Sequence, residues 1–187
     1  MATLQLTHAP ILNSNAQLLI FPVNTAGVFL DPVLTRTKTL FPDNYQRYYR
    51  ACRDGSLNVG SCMLHKRSRE QAGLGISSNG NQPSHIANLV ISNHPYHPAR
   101  ARWLTAALLD LQQQLFSLVR YQGIRRAALF ARPLVFNKTR DHTSDVPNLT
   151  NPAPLDWHTD TLPLLIQYLQ VLPKLSIDVY VPKSIEF

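Results

Sequence analysis

Two patterns of apolar residues alternate along this chain. Continuous apolar runs at Leu18–Val23 (LLIFPV), Ile86–Ser92 and Arg126–Ala131 have the form of strands buried on both faces. Leu4–Thr7, Ser61–Lys66 and Ile177–Val181 add shorter strands. Between them the period lengthens. Leu104, Leu108, Leu111, Leu115 and Leu118 form a stripe at helical spacing, which predicts a helix from Pro98 to Gln122 ended by Gly123. Pro32–Leu40 and Asn44–Arg53 predict two short helices, the second capped by Asp43 and stopped by Gly55. A last helix is predicted over about Asp160–Leu172. It tolerates Pro163 in its first turn and turns Leu162, Leu165, Ile166, Leu169 and Leu172 to the core. Residues 68–84 hold three of the seven glycines with no apolar period, so they read as a mobile surface loop. Residues 133–154 read as irregular and polar.

Strands alternating with helices imply an α/β protein with a mostly parallel sheet covered on both faces. Ligands of such sheets bind beyond the carboxyl ends of the strands. The loops after Val23, Ser92 and Ala131 are therefore the places to look.

Composition narrows the class. The 187 residues suit a single domain over 1–187, and 44% apolar content argues against global disorder. Eighteen basic residues against eleven acidic ones give a formal charge of +7, which suits a polyanionic partner or a phosphate-bearing ligand. No apolar run approaches the roughly 20 residues of a membrane helix, and no signal peptide opens the chain, so a soluble cytoplasmic protein with no membrane partner is expected. Cys52 and Cys62 match no metal spacing and read as free thiols. His94 and His97, with His142 or Asp141, would need a further strong ligand to hold a metal, so none is expected. A nucleophile elbow, a Walker loop and paired catalytic carboxylates are all missing, and no cofactor is implied.

The loops carry a resemblance. VNTAG (Val23–Gly27) follows a buried strand, FPDNY (Phe41–Tyr45) comes next, then Ala51-Cys52, Gly55 and Gly60, with Leu155-Asp156-Trp157 (LDW) late in the chain. In this order they resemble the macro domain family, which binds ADP-ribose. The nearest subgroup is the DNA ADP-ribosyl glycohydrolase antitoxins, and His94, Pro98 and Arg100 match its middle segment. The resemblance implies a three-layer α/β/α sandwich with a mixed, mostly parallel sheet. It also implies binding of ADP-ribose, of ADP-ribosylated DNA or protein, or of a related nucleotide metabolite.

Departures from the family pattern are equally specific. Pro10 stands where an acidic residue would accept from the adenine amine. Leu30, Asp31 and Pro32 replace glycines, so their side chains would crowd a ligand and Asp31 would repel a phosphate. No glycine follows Gly123. The subgroup's lysine, implicated in removing ADP-ribose from thymidine, aligns with Ser92. Binding is thus the primary expectation and hydrolysis the secondary one. A scaffold with a decayed pocket that binds a protein or nucleic acid is the alternative.

Asn24 is the foremost candidate, because the resemblance gives it the distal ribose and its amide suits vicinal hydroxyls; the other reading is a turn cap. Thr25, Gly27, Val28, Ser92, Asn93, Arg132 and Asp156 complete the expected ligand-binding set. Asp156 and Trp157 read first as cap and packing of the last helix and only second as ligand contacts. Asn24 and His94 are the catalytic candidates, with His94 or His97 as a general acid–base. The polar segment Asn137–Asp145, with Arg132, Lys138 or Arg140, reads either as a replacement phosphate lid or as a surface excursion. Arg47, Arg50 and Arg53 share a helix face and, with Arg100 and Arg102, read either as a basic track for nucleic acid or as a solvated basic face.

Overall fold

The computed structural model describes residues 1–68, 82–97, 99–135 and 155–186. Most of the predicted 68–84 loop and of the 133–154 segment, including Lys138, Arg140, Asp141 and His142, lies outside the described residues, as does Pro98. Six strands form one sheet: β1 (Thr3–Thr7), β2 (Leu18–Asn24), β3 (Ser61–Lys66), β4 (His85–Ser92), β5 (Arg126–Phe130) and β6 (Ser176–Tyr180), in the order β1-β6-β5-β2-β4-β3. Every neighbouring pair is parallel except β3 with β4. The α/β class and the mixed, mostly parallel sheet read from the sequence are the observed ones.

The period-two geometry of β2 divides the core. Leu18 and Ile20 face one layer, where α3 (Ala101–Tyr121) and α4 (Leu162–Leu169) bury Leu104, Leu108, Leu111, Leu165 and Leu169. Leu19, Phe21 and Val23 face the other, where α1 (Pro32–Leu40) and α2 (Pro42–Arg53) bury Leu34 and Tyr48. The three-layer sandwich follows directly.

Two helix starts differ from expectation. Asp43 does not cap α2. Pro42 opens that helix, since its fixed φ suits the first turn, and Phe41 is the capping residue. The Asp43 carboxylate instead reaches across to β3. Its Oδ2 takes His65 Nε2 at 2.8 Å and Arg67 Nε at 3.0 Å, and its Oδ1 accepts from Arg67 at 3.1 Å. Arg67 is itself buried, lies 5.0 Å over the Phe41 ring and donates to Gln82 Oε1 at 2.7 Å. The last helix also starts later than predicted. Trp157–Thr161 forms a π turn, with Thr161 N donating to Asp156 O at 3.0 Å, and regular helix begins only at Leu162. Pro163 has no N–H for the preceding turn, which breaks the regular ladder there. Among the described residues no helix is long and apolar enough to cross a membrane.

Candidate functional site

A proline opens the sheet where the site forms. β2 pairs with β5 only from Leu18 to Ile20, whereas it stays paired with β4 to its end. Pro22 lies just past the last β2–β5 pair and offers no amide to a ladder. Beyond it β2 and β5 part at their carboxyl ends. A register shift between Val23 and Asn24 then sets Asn24 opposite Ser92. The result is a cleft of about 350 Å³, bordered by Pro22, Asn24, Val28, Leu30, Ser92 and His97.

Asn24 does two jobs. Its Oδ1 accepts from Ala26 N at 3.0 Å and Val28 N at 3.4 Å, and its Nδ2 donates to Val28 O at 2.8 Å. Those bonds tie the Asn24–Val28 turn that walls the cleft. From below, the buried Tyr48 hydroxyl donates to the Asn24 carbonyl, and Cys52 Sγ lies 3.8 Å from the same oxygen. Burial raises the Tyr48 hydroxyl pKa far above its ordinary value, so it stays a donor at all working pH. Burial likewise raises the Cys52 thiol. Both cysteines are free thiols.

Thr25 and Gly27 support the turn rather than border the cleft. Thr25 N donates to Ser92 O at 3.0 Å and its hydroxyl bonds Asn93 Oδ1 at 3.0 Å, clipping the two loops together. Gly27 has φ +74°, and a Cβ there would stand 3.1 Å from Tyr49. The Phe29 ring stacks on Tyr48, with centroids 5.3 Å apart and planes 10° off parallel. That packing holds Phe29 at the wall of the cleft.

The histidines divide. His97 borders the cleft. His94 has its ring 4.9 Å from that of His97, and its Nδ1 accepts from Tyr96 N at 3.2 Å. Ser92 donates to His94 O at 3.2 Å, which braces the same loop. Asp156 caps the final helical segment through Thr159 N at 2.9 Å and borders neither this cleft nor its neighbour.

That neighbour is a cavity of about 620 Å³ formed by the ends of β1, β5 and β6 and the start of α1. Asp31 and Pro133 border the first cleft, while Pro32 and Arg132 border the second. Arg132 and Asp31 meet at 3.4 Å on the boundary. Asp31 therefore does not face a ligand as a bare charge. It caps α1 through Val33 N at 2.8 Å and carries Arg132 on its outer side. Sequence reasoning followed β2, β4 and β5 to their ends and missed Pro22, Tyr48 and this second cavity. Pro22 inside an apolar run was the available signal.

An open sheet with helices on both faces and a divided cleft at its strand ends defines the class. No family model matches the chain. It is 29% identical over 131 residues, 70% of its length, to a DNA ADP-ribosyl glycohydrolase of Thermus aquaticus. It spans about a third of that relative, 32% of its length. The macrodomain of Thermus aquaticus DarG superimposes with a TM-score of 0.70 at 24% identity, covering 97% of this chain and 100% of that one. Thermosipho africanus DarTG in complex with ADP-ribose gives 0.71 at 22% identity, covering 98% of this chain and 43% of that one. The chain is a macro domain in fold, strongly diverged in sequence.

Proposed function

We propose that this domain binds ADP-ribose, free or attached to a macromolecule, across the two adjoining cavities. The observation that carries the reading is their arrangement about Arg132. A ligand with a sugar at one end, a nucleoside at the other and a diphosphate between has the same three parts in the same order. The relatives' names, a DNA ADP-ribosyl glycohydrolase and a complex with ADP-ribose, point the same way.

Arg132 supplies by side chain what glycine-rich loops supply by backbone amides. Its pair with Asp31 is long and half exposed. Such a pair is worth only about 0.2–1 kcal/mol, whereas hydrogen bonds to an ionised partner contribute about 1.5–3 kcal/mol. Arg132 can therefore leave Asp31 for a diphosphate at small cost, Asp31 keeping its cap bond to Val33 N. The sugar end then lies beside Asn24, Ser92 and His97. Hydrolysis of an ADP-ribosyl bond would draw on the His97 imidazole for proton transfer, since the position of the subgroup's lysine is Ser92.

DNA is the macromolecular carrier favoured by the +7 charge and by the cationic face of α2. There Tyr45 and Tyr49 stack at 5.7 Å and Arg53 lies 5.8 Å over Tyr49, while Lys38 of the neighbouring α1 lies 4.9 Å over Tyr45. The alternative is a scaffold whose cleft is filled by Phe29, Leu30 and the 133–154 segment; the stack of Phe29 on Tyr48 favours the ligand-binding reading.

Calorimetric titration with ADP-ribose, with ribose 5-phosphate and AMP as half-ligands, tests the proposal. Micromolar binding of ADP-ribose and much weaker binding of each half is the expected result. No heat at millimolar ADP-ribose would overturn it.

A further inference from the structure

Three cations among the described residues border the second cavity, whereas the diphosphate of ADP-ribose carries two negative charges. Its floor is apolar and aromatic, formed by Ile11, Val33, Phe130 and Tyr180, and the Arg132 guanidinium lies 5.5 Å over the Phe130 ring. Its border carries Arg36 from α1, Arg132 from the end of β5 and Lys183 from beyond β6, and no Asp or Glu is among its described lining residues. Arg132 is the cation on the boundary with the first cleft. Among the described residues neither Arg36 nor Lys183 forms an ion pair. An unmodified nucleoside is neutral at neutral pH and would leave both cations facing uncharged atoms.

We infer that the second cavity recognises a phosphate monoester on the ribose of the nucleoside end, a 2′- or 3′-phosphate additional to the diphosphate. This rests on the reading that the ligand spans both cavities, and it names the ligand's chemical class more closely. Stacking of the base over the apolar floor brings the ribose hydroxyls toward the cationic rim. Charge-assisted hydrogen bonds from Arg36 and Lys183 then discriminate the phosphorylated ligand from the plain one.

The test compares ADP-ribose with ADP-ribose 2′-phosphate and its 3′-phosphate isomer by calorimetry at fixed ionic strength. The wild-type protein should bind one of the two phosphorylated ligands at least tenfold more tightly than ADP-ribose, and which isomer wins fixes the position read. Arg36→Gln/Lys183→Gln, two exposed positions whose folding is checked by thermal melting, should reduce that preference to within twofold. Lys66→Gln/Arg120→Gln removes the same charge away from both cavities and should retain it. Equal affinities in the wild type would overturn the inference and leave the ADP-ribose reading standing. Equal loss in both double variants would overturn it as a bulk charge effect. If none of the ADP-ribose ligands binds, the spanning reading fails. Adenosine 2′- and 3′-monophosphates then decide alone: binding abolished by Arg36→Gln/Lys183→Gln supports the cavity, and no binding overturns it.

Discussion

Removing one oxygen atom from Tyr48 should loosen the cleft from beneath. Tyr48→Phe keeps the ring, its stack on Phe29 and its fully buried position, and deletes only the hydroxyl that donates to the Asn24 carbonyl. The carbonyl is left with the weak Cys52 Sγ contact at 3.8 Å on that side. A lost neutral hydrogen bond costs about 1 kcal/mol, and a carbonyl left short of a partner in a dry site raises this toward 3 kcal/mol. For a chain of this size each kcal/mol moves the melting temperature by about 2–4 °C. The expected fall is therefore roughly 2–12 °C. Differential scanning calorimetry measures it, and ADP-ribose affinity should fall in parallel because the Asn24–Val28 turn walls the cleft. A melting temperature within 1 °C of wild type would refute the reasoning, since it would mean that the hydroxyl does not hold the turn.

Arg132→Ala should weaken ADP-ribose binding by roughly 10- to 100-fold, the worth of one charge-assisted hydrogen bond, with little change in melting temperature. Calorimetry checks both. Asp43→Asn leaves the buried Arg67 guanidinium without its carboxylate and should cost about 3 kcal/mol, read from a lower urea midpoint at unchanged slope. Acid should destabilise the fold in two stages. Burial, then the charges of Lys66 and His65, hold the His85 pKa below 6.5, so the unfolded chain takes up its proton first and stability falls as pH drops below about 6.5. Burial pushes the Asp43 carboxyl up, but hydrogen bonds from Arg67 and His65 and the Arg67 charge outweigh it and hold it below 3.8. Its contribution is complete above that value and lost as pH falls below it. Urea midpoints from pH 8 to pH 3 follow both stages, and His85→Gln should flatten the first.

Features written in local pattern were legible from the chain alone. The central strands showed as apolar runs because they are buried on both faces, and α1 was legible as Pro32–Leu40. The Asn24 turn was visible as VNTAG, yet whether its amide faces ligand or backbone depends on Val28, Tyr48 and Cys52 meeting it in space. Asp43 looked like a helix cap because its partners, His65 and Arg67, lie on β3 and just beyond it. Two histidines three residues apart gave no hint that His97 borders the cleft while His94 braces its loop. The second cavity draws on residues from His8 to Lys183. Parallel strand pairing brings such distant segments together and leaves no periodic trace.

The most direct test of the account is a crystal structure of the protein soaked with ADP-ribose. The account predicts the distal sugar beside Asn24 and Ser92, the nucleoside over Phe130 and Tyr180, and Arg132 turned from Asp31 onto the diphosphate. Density for the ligand elsewhere on the surface, or an intact Asp31–Arg132 pair with both cavities empty at saturating ligand, would contradict it.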